Sequence, residues 1–272
     1  MADYKIGTPI TSMEGAFDVS GKNVLVTGGA GGIGRGIAQA FAESGANVIV
    51  MCRNETRGQK AVEELSAYPG KMAYYQCDVA SLDSVKAAAE KVFADFGHVD
   101  VLINNAGVST TTPFLEDTDL AEWHRVINTD LHGVANMVYV YTPNMIENGI
   151  EGTIINISST GGERVPASAE MPPYNVAKAG VNMFSRYCGQ KFGKYNIRCI
   201  ALGPGPIHSE LDADLPEAAK KVFQDVMPAH RFGEPIEIGA LCVFLASPAA
   251  AFIRTGGVGG AVLMDGGLSL VE

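Results

Sequence analysis

Cysteine is scarce in this chain of 272 residues: there are five, an odd number, and no Cys-x-x-Cys pair. Cys52, Cys77, Cys188, Cys199 and Cys242 read as reduced, small hydrophobes, several of them in strand-like runs, not as a disulfide frame or a zinc site. The five histidines are scattered without metal-ligand spacing, so no metal is expected. Long apolar runs are missing, which excludes a helix spanning a membrane. The first twenty residues carry Asp3, Glu14 and Asp18 and lack the apolar stretch of a secretory signal. They read as an N-terminal arm over 1–20 of a cytoplasmic protein. Cations are outnumbered, with 20 Lys and Arg against 30 Asp and Glu, giving a net charge of -10. That balance excludes a nucleic-acid footprint, which needs clustered Lys and Arg. It also argues against docking to a strongly acidic carrier protein.

Charged residues make up only 18% of the chain, whereas hydrophobic residues make up 47%, enough for a sizeable core. Short apolar runs recur at Val24–Val26, Val48–Met51, Met72–Cys77, Val101–Ile103, Thr153–Ile157, Ile197–Leu202 and Ala261–Met264. They are mostly continuous, not alternating, as strands buried on both faces of a parallel sheet must be. Helical stripes lie between them. Ile33, Ile37, Ala40 and Phe41 make one; Val85, Ala88, Ala89, Val92, Phe93 and Phe96 make another. Gly45 and Gly97 follow these helices, where a left-handed cap favours glycine. The rhythm predicts a doubly wound α/β Rossmann fold with a seven-stranded parallel sheet. No linker interrupts it, so 21–272 reads as one domain. Thr160–Pro173 and Gly203–Gly233 break the rhythm, and both follow strand ends, where open α/β sheets bind ligands.

The first strand runs into Thr27-Gly28-Gly29-Ala30-Gly31-Gly32-Ile33-Gly34 and then a helix. Small residues let the backbone approach a pyrophosphate, and the helix start offers unpaired N–H groups and a positive dipole. Gly28, Gly32 and Gly34 fit the T-G-x-x-x-G-x-G pattern of the short-chain dehydrogenase/reductase family. Asn104-Asn105-Ala106-Gly107 resembles that family's N-N-A-G, and Tyr174-Asn175-Val176-Ala177-Lys178 its Y-x-x-x-K. Pro204-Gly205 and Asp265-Gly266-Gly267 match as well, so the resemblance runs from about residue 18 to 270. It implies hydride transfer between a nicotinamide dinucleotide and a carbonyl or alcohol. It also implies a cofactor site including Gly28, Gly32, Ile33, Gly34, Asn105, Ala106, Gly107, Tyr174, Lys178 and Pro204. Asp78-Val79 resembles the pair beside adenine, and Ile207 and Ser209 the segment that meets the nicotinamide amide.

Tyr174 and Lys178 stand four apart on a predicted helix and share a face. A tyrosine alone is a poor base at neutral pH, and an adjacent ammonium stabilises its phenolate. The pair is therefore suited to acid/base work. Tyr187 and Lys191 have the same spacing but lie 13 residues on, roughly 220° around the helix. They are assigned to a surface or subunit contact. The family places a serine at the preceding strand end to polarise the carbonyl oxygen; alignment selects Ser159, with Ser158 as the alternative. The gap from Ser159 to Tyr174 is two residues longer than in many members.

One segment departs from the family. Where many members carry a catalytic asparagine in N-L-x-G, register on Leu131 and Gly133 puts Asp130. Asn128 is two residues early and faces elsewhere. Asp130 reads either as the end of a water relay to Lys178 or as a satisfied structural carboxylate. This departure, the longer gap and Tyr-Asn-Val-Ala-Lys-Ala-Gly resemble the branch acting on polyols and ketoses, such as mannitol dehydrogenases and sorbose reductases.

After the second strand, where NAD-preferring members carry an acid, stands Cys52, and next to it Arg53. A guanidinium suits a 2′-phosphate, so NADP(H) is expected over NAD(H). The expected function is oxidoreduction of a ketose/polyol pair. The alternatives are a hydroxysteroid or other bulky-alcohol dehydrogenase, and a catalytically silent dinucleotide-binding regulator. The stretch 203–233 is expected to form a substrate lid with an apolar helical stripe of Leu211, Leu215, Ala218, Val222, Val226 and Met227. The family also implies a homotetramer or homodimer.

Overall fold

The computed structural model describes residues 9–110, 112–165, 171–209, 217–255 and 260–271. Seven strands form one parallel sheet: β1 (Asn23–Thr27), β2 (Asn47–Cys52), β3 (Met72–Gln76), β4 (Val101–Asn104), β5 (Thr153–Ile157), β6 (Arg198–Pro204) and β7 (Val262–Met264). Their order across the sheet is 3-2-1-4-5-6-7. The chain reverses its direction of travel at β1, which pairs with β2 on one side and β4 on the other. Ligand crevices of open α/β sheets form at such a switch point.

The helices are α1 (Gly32–Glu43), α2 (Glu55–Leu65), α3 (Leu82–Phe96), α4 (Ala121–Ile127), α5 (Gly133–Glu147), α6 (Pro172–Phe192), α7 (Glu217–Val226) and α8 (Pro235–Ala246). They cover the sheet in two layers, each with its own core. On one face Ile37, Phe41, Ile238, Cys242 and Leu245 pack on Val24, Val26, Val48 and Ile200. On the other, Val85, Val92, Tyr141, Met145 and Val181 pack on Leu25, Ile49, Leu102 and Ile154. Alternate residues of each strand thus serve opposite layers, which is why the runs look continuous in sequence. No helix among the described residues is long and apolar enough to cross a membrane.

From Ala16 onward the N-terminal arm packs on the domain. Ala16 and Val19 are buried, and the Ala16 carbonyl accepts from Ala249 N at 2.7 Å. Residues 1–8 lie outside the described residues. The expected lid stripe is described only in part. Leu211 and Leu215 lie outside the described residues, Ala218, Val222 and Val226 on α7 are exposed, and Met227 is buried. Met227 and Phe223, one helical turn apart, pack with Phe232 and Leu268.

Candidate active site

The site gathers at the carboxyl ends of β1, β4, β5 and β6. Thr27, the last residue of β1, clips the ends of the two switch-point strands together. Its Oγ1 donates to Ile103 O at 3.3 Å and accepts from Asn105 N at 2.9 Å and Ala106 N at 3.0 Å. The Asn105 amide donates to Thr27 O at 2.9 Å. This holds Asn105 against the glycine turn so closely that a Cβ on Gly34 would stand 2.4 Å from Asn105 Nδ2. Gly28, at φ +66°, adopts a backbone that only glycine takes without strain.

Helix α1 then starts bare. Its N-cap Gly31 makes no side-chain cap, and no acid sits in its first turn. The start offers its amide donors and positive dipole to an anion, as a pyrophosphate requires. Across the turn, Ser209 Cβ lies 3.5 Å from where a Cβ on Gly32 would stand, so the segment after β6 returns over the glycine turn. That segment is tied at its base. His208 N donates to Gly233 O at 2.8 Å and Gly233 N to Pro206 O at 3.0 Å, with Ile207 buried between them. The residues present thus fit a dinucleotide: a bare helix start, a turn without side chains, and a wall at Pro204–Ser209. At the far end Arg53 is exposed beyond β2. Asp78 caps its own turn through Ala80 N at 3.1 Å, and buried Val79 gives its carbonyl to Asn136 at 2.9 Å.

Tyr174 and Lys178 project from the first two turns of α6, which opens on Pro172-Pro173, residues suited to a helix start. Lys178 Nζ lies 5.4 Å from the Tyr174 ring centre. It donates to Ile157 O at 3.1 Å and stands 3.1 Å from Asp130 Oδ2. Both charged groups are buried, Asp130 fully. Asp130 arrives there through a single π-helical turn, Asn128–His132, between α4 and α5. The wider turn aims Asp130 inward while Asn128 stays exposed, bonded to His132 at 3.0 Å. Asp130 Oδ1 accepts from Val108 N at 2.8 Å, and a Cβ on Gly107 would stand 2.7 Å from Oδ2. The Asn-Asn-Ala-Gly glycine therefore makes room for this carboxylate. Burial alone would push the Lys178 ammonium down, but the charge of Asp130, aided by Tyr174, outweighs it and holds the group above its ordinary value.

The structure separates the two serines. Ser158 is buried and donates to Lys178 O at 3.2 Å. Ser159 is half-buried and accepts from Gly161 N at 3.0 Å, so its hydroxyl proton remains available. A Cβ on Gly161 would stand 3.4 Å from Ser159 Oγ and 3.6 Å from Tyr174 Cε1, so both side chains lie against that glycine. By contrast Tyr187 and Lys191 face outward, 5.8 Å apart.

Sequence spacing did not single out the residues that hold these groups in place. Buried Asn156 accepts from Asn104 Nδ2 at 2.8 Å and donates to Ser185 Oγ at 2.8 Å, joining β4, β5 and α6. Asn175 donates to Gly161 O at 2.6 Å and pins the loop after Ser159. An asparagine in a run of isoleucines, Ile154-Ile155-Asn156-Ile157, is the signal that could have found the first of these.

A family model described as enoyl-(acyl carrier protein) reductase matches residues 28–269. The 3-oxoacyl-(acyl carrier protein) reductase of Thermotoga maritima is 35% identical over 92% of this chain and 98% of its own length. The D-threitol dehydrogenase of Mycolicibacterium smegmatis is 34% identical over 95% of this chain and 97% of its own. Among solved structures, the L-sorbose reductase from Gluconobacter frateurii, complexed with NADPH and L-sorbose, superimposes with a TM-score of 0.84. It is 30% identical and covers 94% of this chain and 100% of its own. The fold, the site and these relatives define an oxidoreductase that uses a nicotinamide dinucleotide and acts on an alcohol or carbonyl. The chain belongs to the short-chain dehydrogenase/reductase family.

Proposed function

We propose that this protein interconverts a ketose and a polyol with NADP(H). The observation that carries the chemistry is the buried Asp130–Lys178 pair beneath Tyr174, with Ser159 facing the same point. Ser159, its oxygen already engaged by Gly161 N, donates its proton to the substrate carbonyl oxygen. Tyr174 delivers a proton to that oxygen as reduction proceeds, and takes one back in oxidation. Lys178, kept protonated by Asp130, stabilises the phenolate left behind. When bound, the nicotinamide supplies or accepts the hydride. An intact trio of this kind argues against a silent regulator.

The ketose/polyol assignment rests on relatives named as D-threitol dehydrogenase and L-sorbose reductase. The acyl-carrier-protein reductases among the relatives favour a second substrate, a 3-oxoacyl thioester. The net charge of -10 opposes an acidic carrier. A cofactor-oxidation screen over ketoses, polyols, 3-oxoacyl thioesters and steroids decides between them. Turnover of thioesters alone overturns the assignment.

The cofactor assignment rests on Arg53, exposed beyond a β2 whose last residue is Cys52 in place of an acid. Arg53→Ala should weaken NADPH by about tenfold to a hundredfold, the loss of one charge-assisted contact, and leave NADH unchanged. A wild-type KM lower for NADH than for NADPH overturns it. Self-association is proposed through Tyr139 on α5 and Val176, Met183 and Tyr187 on α6, apolar side chains that stand exposed.

A further inference from the structure

The loop after Ser159 carries two charged residues that the chemistry leaves unused. Arg164 Nη1 donates to Leu268 O at 2.8 Å and to Val271 O at 2.6 Å, more than a hundred residues away in sequence. Its neighbour Glu163 accepts from Ala261 N at 2.7 Å and from Asn182 Nδ2 on α6 at 2.8 Å. Thus the loop between the serine and the tyrosine is bolted to both ends of the last stretch of chain.

That last stretch is also bolted to the base of the expected lid. Leu268 and Val271 pack with Phe223, Met227 and Phe232. Ala229 N donates to Gly266 O at 3.0 Å. Asp265 folds the turn itself, accepting from Gly267 N at 2.9 Å and Ser269 N at 2.7 Å. Residues 261–271 are thus tied on both sides. On the catalytic side, Gly161 N holds Ser159 Oγ, and Asn175, next to Tyr174, holds Gly161 O and Arg164 O. A shift at Arg164 therefore reaches Tyr174 through its neighbour Asn175, and Ser159 through Asn175 and Gly161.

We infer that the C-terminal turn Leu268–Val271 is a brace joining the two walls of the substrate cleft, and that Arg164 is its positioning residue. The inference rests on the proposed reading that Ser159 and Tyr174 face the substrate. The Arg164 guanidinium is turned to the Leu268 and Val271 carbonyls. It sets the distance between the serine loop and residues 227–233, and a small misplacement of reacting groups costs rate steeply.

The test uses the full chain, Arg164→Met, Arg164→Lys, a truncation ending at Gly267, and the truncated Arg164→Met. Arg164→Met should lower kcat/KM for the carbonyl substrate by about tenfold or more, with the Kd for NADPH, read by fluorescence, within about twofold of wild type. Arg164→Lys, which retains a donor, should recover part of the loss. The truncation should mimic Arg164→Met, and the two together should cost no more than either alone. Amide exchange at 160–165 and 227–233 should quicken together in Arg164→Met, whether or not a substrate has been identified. Exchange that quickens at 160–165 alone overturns the brace, as do additive losses. Coupled exchange with unchanged kcat/KM overturns the positioning role. Failure to find any carbonyl substrate counts against the proposed function, and the exchange result still decides the brace.

Discussion

At the scale of single residues, the departure at Asp130 is the most consequential. A buried ion pair, Asp130 with Lys178, stands beneath Tyr174. The sign of its effect on pH dependence follows from the raised Lys178. A raised ammonium keeps its charge, and the stability of the pair, until the pH climbs through the folded value; above that both are lost. Asp130→Asn removes the carboxylate and leaves burial unopposed. The alkaline fall of kcat/KM in the reductive direction should move to lower pH. A pH–rate profile checks this, and an unmoved alkaline limb would leave Asp130 as a structural carboxylate only. The tyrosines provide a second contrast. Tyr174→Phe should abolish turnover while cofactor still binds, whereas Tyr187→Phe should retain most activity. Steady-state rates and cofactor fluorescence on both variants read this directly.

At the scale of elements, α6 is positioned by a buried polar chain, Asn104–Asn156–Ser185, that ends on Val181 O at 2.7 Å. Asn156→Leu strands the Asn104 amide in the core and takes from Ser185 Oγ the donor it accepts from, while the hydroxyl keeps Val181 O. The substitution should cost about 1–3 kcal/mol per stranded group, measured by urea unfolding. Helix α8 is tied to the segment that leads into it by a different device. Glu237 accepts from Arg231 at 2.6 and 2.7 Å and from Glu234 N at 2.8 Å. The Arg231 hydrogen bonds, then that of the Glu234 backbone, push its carboxyl down to about 2. A depressed acid stabilises the fold above its unfolded value of about 4.3, and that contribution fades as the pH falls toward the folded one. The stability difference between wild type and Glu237→Gln should thus be present at pH 6 and shrink between about pH 4 and 2. Because the pair is partly exposed, the difference is small, on the order of 1 kcal/mol or less.

At the scale of the whole molecule, the apolar surface on α5 and α6 sits oddly with a chain so rich in acid. Met183→Glu with Tyr187→Glu should shift the protein to smaller species in sedimentation, with the circular dichroism spectrum unchanged. The same species in both proteins would remove these helices from any interface. The seven-stranded sheet and its two helical layers were legible in the sequence because short continuous apolar runs take turns with helical stripes of 3.6-residue period, and both are local signals. The glycine turn and the Tyr174–Lys178 face were legible for the same reason, since each lies within one turn or one helix. Other features could not be read that way. That Phe223 joins Met227 against Phe232 and Leu268 was not legible, because apolarity on α7 does not say which face meets them. Which serine turns inward depends on how α6 lies across the end of β5. Asp130 reaches Lys178 only because a π-helical turn rotates it inward. Arg164 finds its carbonyls 104 and 107 residues on. Such contacts join segments whose nearness is set by sheet order and crossover, so no local period encodes them, and only the folded chain brings their partners within hydrogen-bonding reach.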